Sequence, residues 1–120
     1  MGATVEKDIS GVWVMRASGA LRKEELDSVQ ETLLKKLGPG ENFRLLAIVG
    51  EDFSGWVGGE VWNDMGFFEE HGDRLEKIAI VGDIRWENSM LMFAAAGLRR
   101  APVKYFTPNQ LAEAYAWLAS

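Results

Sequence analysis

The sequence predicts a single α/β domain, spanning residues 1–120, in which helices flank one mostly parallel sheet. Two nearly continuous apolar runs, FRLLAIVG at 43–50 and KIAIVGD at 77–83, are typical of strands that are covered on both faces. A shorter run, VKYF at 103–106, indicates a third strand of this kind. Because stretches with helical periodicity alternate with these strands, we expect one layer of sheet with helices packed on it.

The first forty residues predict a hairpin followed by a helix. Residues 12–15 are rich in strand formers, and residues 4–9 are expected to pair with them as an antiparallel edge strand through Ser10-Gly11. Apolar residues then recur at intervals of three and four, which predicts an amphipathic helix that ends at Gly38-Pro39-Gly40. The apolar residues of this helix are Leu26, Val29, Leu33, Leu34 and Leu37.

The last helix has the clearest start signal in the chain. Thr107 is a natural N-cap, Pro108 suits the first turn, and Gln110 completes a capping box. Periodicity then predicts one buried stripe, which consists of Leu111, Tyr115 and Leu118 with Ala114 beside them.

Composition excludes several functional classes. The chain carries a formal net charge of −5, which disfavours binding to nucleic acid or to an anionic membrane through bulk electrostatics. It contains no cysteine, so there is no thiol nucleophile and no thiolate metal site. The N-terminus lacks the apolar core of a signal peptide, and no apolar run approaches the length of a membrane span. We therefore expect a cytoplasmic protein without integral membrane association.

Four stretches carry a resemblance to a known family: LLAIVGEDFSGW, VWNDMGFF, EKIAIVGDIRW and VKYFTPNQLAEAYAWL. In this order they resemble the SpoIIAA-like family of the STAS superfamily, over about residues 10–119. The resemblance implies a STAS-like α/β fold, which is also likened to the lipid-binding CRAL-TRIO domain. It implies no established catalytic activity.

The resemblance also draws attention to Ser54. Anti-sigma-factor antagonists of the superfamily carry a phosphorylatable serine in an Asp-Ser-Ser-Gly-type motif, after a central strand and at a helix N-terminus. The corresponding region reads EDFSGW at 51–56, so Ser54 lies near the right place, but the tandem motif is absent. Ser54 is therefore a candidate phosphorylation site in a sequence that departs from the family's pattern.

Three acidic residues follow two of the predicted strands: Glu51, Asp52 and Asp83. Ligands of open α/β sheets bind at the carboxyl ends of the strands, and carboxylates there could hold a divalent cation. Acidic residues also favour helix N-termini, where they cap the helix and complement its dipole. We expect the second role, with no metal site and no cofactor; an enzyme with a carboxylate–metal site is the alternative.

The segment GWVGGEVWNDMGFF, residues 55–68, carries more apolar surface than one helix face needs. On a wheel of about 100° per residue, its apolar arc covers more than half of the helix. Three roles are compatible with this pattern: irregular core, dimer contact, or a mobile lid over an apolar ligand. With a second predicted helix at 88–100, it supplies the candidate ligand-binding residues Trp56, Val57, Val61, Trp62, Met65, Phe68, Met90 and Phe93.

These observations predict a function without catalysis. We expect a binding or regulatory module of STAS-like type, which acts through a protein partner or a small apolar ligand. The surplus of aromatic surface on a small domain also predicts a homodimer, because exposed apolar patches usually mark interfaces.

Overall fold

The structure is a computed structural model that describes residues 3–38, 41–56, 75–93 and 102–120. Its strands and helices follow the predicted alternation. In chain order they are β1 Ala3–Lys7, β2 Trp13–Ala17, β3 Ala20–Leu21, α1 Lys23–Lys36, β4 Phe43–Val49, β5 Gly55–Trp56, β6 Leu75–Val81, α2 Glu87–Phe93, β7 Val103–Phe106 and α3 Leu111–Ala119.

Five strands form one mixed sheet in the order β1-β2-β4-β6-β7. The pair β1–β2 is antiparallel, and the other three pairs are parallel. Leu46 of β4 lies between Val14 of β2 and Ala79 of β6, so β4 is the central strand. The predicted sheet, with its antiparallel N-terminal edge strand, is confirmed.

The β1–β2 hairpin closes through the predicted turn. The Asp8 N–H donates to the Val12 carbonyl at 2.9 Å, and the Asp8 Oδ1 accepts the Ser10 N–H at 2.9 Å. Gly11 has φ +88°, a left-handed conformation that glycine adopts without a Cβ penalty. The Ser10-Gly11 signal therefore predicted the turn correctly.

Helix α1 ends at Lys36, just before the predicted stop at Gly38-Pro39-Gly40. The Glu25 Oε1 accepts the N–H of Arg22 at the first turn, and the Leu37 N–H donates to the Leu33 carbonyl at the last. Its buried residues recur at helical spacing, as predicted: Val29, Leu33 and Leu37.

The last helix keeps its predicted cap and its predicted stripe except for Leu111. The Thr107 N–H donates to the Gln110 Oε1 at 3.0 Å, and a 3₁₀ turn over Pro108–Gln110 leads into α3. Leu111, which was predicted to be buried, is 38% exposed. Ala114 and Leu118 are buried and Tyr115 is partly buried, whereas Leu111 is the first residue of α3 and lies at the end of the helix.

The two faces of the sheet carry different helices. On the front face, α1 packs against β1 and α2 packs against β7. On the back face, α3 packs across β4, β6 and β7. Side chains alternate along each strand, so neighbouring residues of β4 belong to different faces.

One helix prediction and one strand prediction need correction. The prediction of helix across residues 55–68 is wrong at its start, because Gly55 and Trp56 form β5 and pair in parallel with Ala20 and Leu21 of β3. Gly55 has φ +109°, which favours an extended turn over helix. Residues 57–74, the rest of that segment, lie outside the described residues. Strand β6 begins at Leu75, two residues earlier than predicted, and ends before Gly82.

Candidate functional site

The front face of the sheet carries accessible apolar side chains at its centre. Leu45 and Ala47 of β4 are only partly buried, and so is Met15 of β2. Met15 and Ala47 are register partners on adjacent strands, and Leu45 is two residues from Ala47, so the three side chains lie together on one face. We call Met15, Leu45 and Ala47 the front patch. Phe43 and Val49, at the two ends of β4, are buried on the same face, so the predicted coverage of β4 is incomplete only at the middle of its front face.

The front patch adjoins fully packed core. Ile78 and Ile80 of β6, the register partners of Leu45 and Ala47, are buried. On the other side of Leu45 lies Trp13 of β2, which is 3% exposed. The Trp13 Nε1–H has no hydrogen-bond partner among the described residues. The patch is thus bordered by buried apolar residues, and one of them, Trp13, carries a buried donor without a partner among the described residues.

Sequence reasoning did not single out the front patch. An unbroken apolar strand looks the same whether its front face is covered or partly open, so no signal within FRLLAIVG distinguishes the two cases.

The predicted ligand-binding residues are only partly described. Met90 lies on α2, buried in the front-face core with Phe53 and Leu75. The backbones of Trp56 and Phe93 are placed in β5 and α2, but their side chains are outside the described residues. Val57, Val61, Trp62, Met65 and Phe68 lie outside the described residues entirely. Their role, and the choice between core, dimer contact and lid, stay predictions.

The predicted acidic residues lie at the carboxyl edge of the sheet. Glu51 and Asp52 are exposed in the turn after β4. Asp83 follows β6, and its Oδ1 accepts the Arg85 N–H at 2.9 Å, which is the capping role expected for an acid at the start of a helical turn. Among the described residues, no group of three or more His, Cys, Asp or Glu side chains is arranged to hold a metal ion.

A tyrosine at this edge is neutral at physiological pH. Burial raises the pKa of Tyr105 to about 12, and the charges of Asp83 and Glu87 contribute. Its hydroxyl donates to the Asp83 carbonyl oxygen at 2.6 Å. Tyr105 is therefore a hydrogen-bond donor that fixes the turn after β6, and it is not suited to act as a base.

Ser54 is exposed and lies between the buried Phe53 and the short strand β5. Its N–H donates to the Gly19 carbonyl at 2.9 Å, and the preceding Phe53 packs edge-on against Trp86 with ring centroids 4.9 Å apart. The residues that follow Ser54 form β5 rather than the N-terminal turn of a helix. Phosphorylation at Ser54 stays a prediction.

The sheet order, the terminal helix and the turn at 50–56 can be compared with known proteins. Residues 12–119 match the family described as SpoIIAA-like. The chain belongs to the SpoIIAA-like family. This confirms the resemblance drawn from the sequence, and the family supports a non-enzymatic regulatory domain as the general class.

A solved structure supports the SpoIIAA-like fold. It is an uncharacterized protein of the DUF3478 family with a SpoIIAA-like fold from Shewanella loihica PV-4. The similarity has a TM-score of 0.72 and 19% sequence identity, and it covers 98% of this chain and 93% of that one. No curated protein matches the chain. No helix among the described residues is long and apolar enough to cross a membrane.

Proposed function

We propose that this SpoIIAA-like chain is a non-enzymatic binding module whose front patch takes a small apolar ligand. The observation that carries the proposal is the partial exposure of Met15, Leu45 and Ala47 at the centre of the sheet. The centre of a sheet flanked by helices is normally its most buried part. Apolar surface left there is stabilised by any apolar group that covers it, by about 25 cal/mol per Å².

Among the described residues, the position of the helices favours a small ligand over a broad protein surface. Helix α1 packs against β1 at one edge of the front face, and α2 packs against β7 at the other. A helix with its side chains is about 10 Å across, so α1 and α2 both project above the sheet surface by about that distance. A small molecule can reach the sheet surface between two projecting helices, whereas a flat protein surface would contact the helices first.

Binding of diphenylhexatriene, a fluorescent hydrocarbon, tests the proposal. We expect the wild type to bind it and Ala47→Glu to lose binding, because a carboxylate in the patch is costly to bury beside a hydrocarbon. Ala112→Glu makes the same change at an exposed position of α3 and should leave binding intact. The proposal fails if the wild type does not bind the probe, or if folded Ala47→Glu binds it as well as the wild type.

The homodimer and a regulatory protein partner also remain proposals. Large apolar residues exposed outside the patch, Ile9 and Ile84 among them, offer surface for such contacts. Sedimentation equilibrium at high micromolar concentration tests the dimer, and a purely monomeric protein would contradict it.

A further inference from the structure

The indole nitrogen of Trp13 is a buried donor that nothing described in the fold uses. Trp13 is 3% exposed, and its Nε1 is sealed from water and without a hydrogen-bond partner in the described parts of the chain. The core cluster around it consists of apolar side chains, including Leu33, Leu37 and Phe43. Buried donors are nearly always paired, because leaving one unpaired costs about 1–3 kcal/mol.

The Trp13 side chain lies next to the front patch. Trp13 is the register partner of Leu45 on the adjacent parallel strand, so the two side chains are neighbours on the front face. Its partner on the other side is Lys7 of β1, whose Nζ lies 3.8 Å from the Glu41 Oε2. The Lys7 side chain is therefore already paired, and it is exposed at the edge of the sheet.

We propose that the ligand of the front patch is a neutral, mostly apolar molecule with one hydrogen-bond acceptor, such as a ketone, ester or ether oxygen, which receives the Trp13 Nε1–H. This inference rests on the proposed function and specifies its ligand. A carboxylate is disfavoured, because the described surroundings of Trp13 are apolar and an unpaired charge there is expensive. Because the nitrogen is sealed in this state, the acceptor reaches it only when a covering side chain moves aside.

Two matched probes test the inference: a 2-acylnaphthalene and the 2-alkylnaphthalene of equal length, in which CH₂ replaces the carbonyl. Affinities of both are measured for the wild type and for Trp13→Phe, which removes the N–H and keeps a ring. We expect the ratio of ketone to hydrocarbon affinity to fall about tenfold in Trp13→Phe, which corresponds to the loss of one hydrogen bond.

Indole NMR on the wild type provides a readout that needs no folded variant at Trp13. The chain has five tryptophans, so up to five indole N–H signals are expected, and selective loss in Trp13→Phe assigns the one of interest. If Trp13→Phe does not fold, a saturating ketone should still move one indole signal that the hydrocarbon leaves in place.

The outcomes separate the two proposals. If both probes bind and the affinity ratio is unchanged in folded Trp13→Phe, or no indole signal responds selectively to the ketone, the acceptor site is overturned and the apolar site stands. If neither probe binds the wild type, the apolar site itself fails, and the acceptor site fails with it.

Discussion

Leu46 and Leu45, which are neighbours on opposite faces of the central strand β4, differ in how completely they are buried. On the back face, Leu46 is 0% exposed and packs with Ala79, Ala114 and Leu118, which are also 0% exposed. On the front face, its neighbours Leu45 and Ala47 keep part of their surface accessible. The difference is local to the middle of the strand, because Phe43 and Val49 on the front face are buried and Ile48 on the back face is partly buried. Among the described helices, α3 runs across three strands at the back, whereas α1 and α2 pack against β1 and β7 at the front.

This difference in burial predicts which residues contribute mainly to folding stability and which can also contribute to ligand binding. Surface that is already buried contributes to the free energy of folding, whereas surface that is still accessible can contribute to binding. We therefore expect equal truncations on the two faces to differ in their cost to stability and in their effect on a ligand.

The largest expected effect is that of Leu46→Ala. Truncation of a fully buried leucine costs the transfer free energy and leaves a cavity, so we expect a loss of about 3 kcal/mol in the free energy of unfolding. Leu45→Ala, the same change one residue away on the front face, should cost about 1 kcal/mol, because part of its surface is already accessible. Urea denaturation of both variants measures this pair. Equal losses would show that the two faces are packed alike.

The sequence predicted the fold better than it predicted this asymmetry. Apolar runs and caps specify strands and helix starts through local physics, so the hairpin turn at Ser10-Gly11 and the cap at Thr107 were predictable. Coverage of Leu45 and Leu46 is decided by where distant helices pack. That depends on non-local contacts between β4 and elements such as α3, which lies more than sixty residues away in the chain.

Position 82 shows that the front face is tightly packed at its carboxyl edge, although its centre is only partly buried. A Cβ at Gly82 would lie 2.9 Å from the Val49 Cβ and 2.8 Å from the Tyr105 hydroxyl oxygen. The Val49 Cβ is fixed to the backbone and cannot turn away, so we expect Gly82→Ala to cost about 1–3 kcal/mol.

Gly38→Ala is the matched control for this change. The nearest atom to a Cβ at Gly38 is the Glu41 Oε1 at 3.2 Å, the far end of a flexible side chain. Its cost should stay below that of Gly82→Ala in thermal unfolding. A smaller loss of stability in Gly82→Ala than in Gly38→Ala would mean that the packing around position 82 adjusts to an added methyl group.

The back-face helix is also held at its C-terminal end. The Lys77 Nζ donates to the carbonyls of Trp117 at 3.0 Å and of Ser120 at 2.8 Å, and it lies 5.2 Å from the Trp117 ring centroid. Cations stabilise helix C-termini, so we expect Lys77→Met to cost about 1–2 kcal/mol. Lys104→Met, at an exposed position of β7, should cost about 0.5 kcal/mol or less. Chemical denaturation compares the two, and equal losses would contradict the capping role.

The smallest expected effect is a difference in pH dependence between two tyrosine hydroxyls, one on each face of the sheet. On the back face, the Tyr115 hydroxyl donates to the Asp8 Oδ2 at 2.7 Å. Desolvation alone would raise the pKa of Asp8, but hydrogen bonds from Ser10 and Tyr115 outweigh it and lower the pKa below its ordinary value of 3.8. On the front face, the Tyr105 hydroxyl donates to a backbone carbonyl, which does not titrate.

Comparison of Tyr115→Phe with Tyr105→Phe across pH tests this difference. The lowered pKa of Asp8 means that its contribution is fully present above the unfolded value of 3.8 and is lost as the pH falls through the lower folded value. Tyr115→Phe should therefore cost about 0.5–1 kcal/mol near pH 7, and this cost should shrink below about pH 4. The cost of Tyr105→Phe should stay level over the same range, because its hydroxyl and its acceptor keep one protonation state. Urea unfolding from pH 8 to pH 3 measures both, and a cost for Tyr115→Phe that does not change with pH would show that the charge of Asp8 does not strengthen this contact.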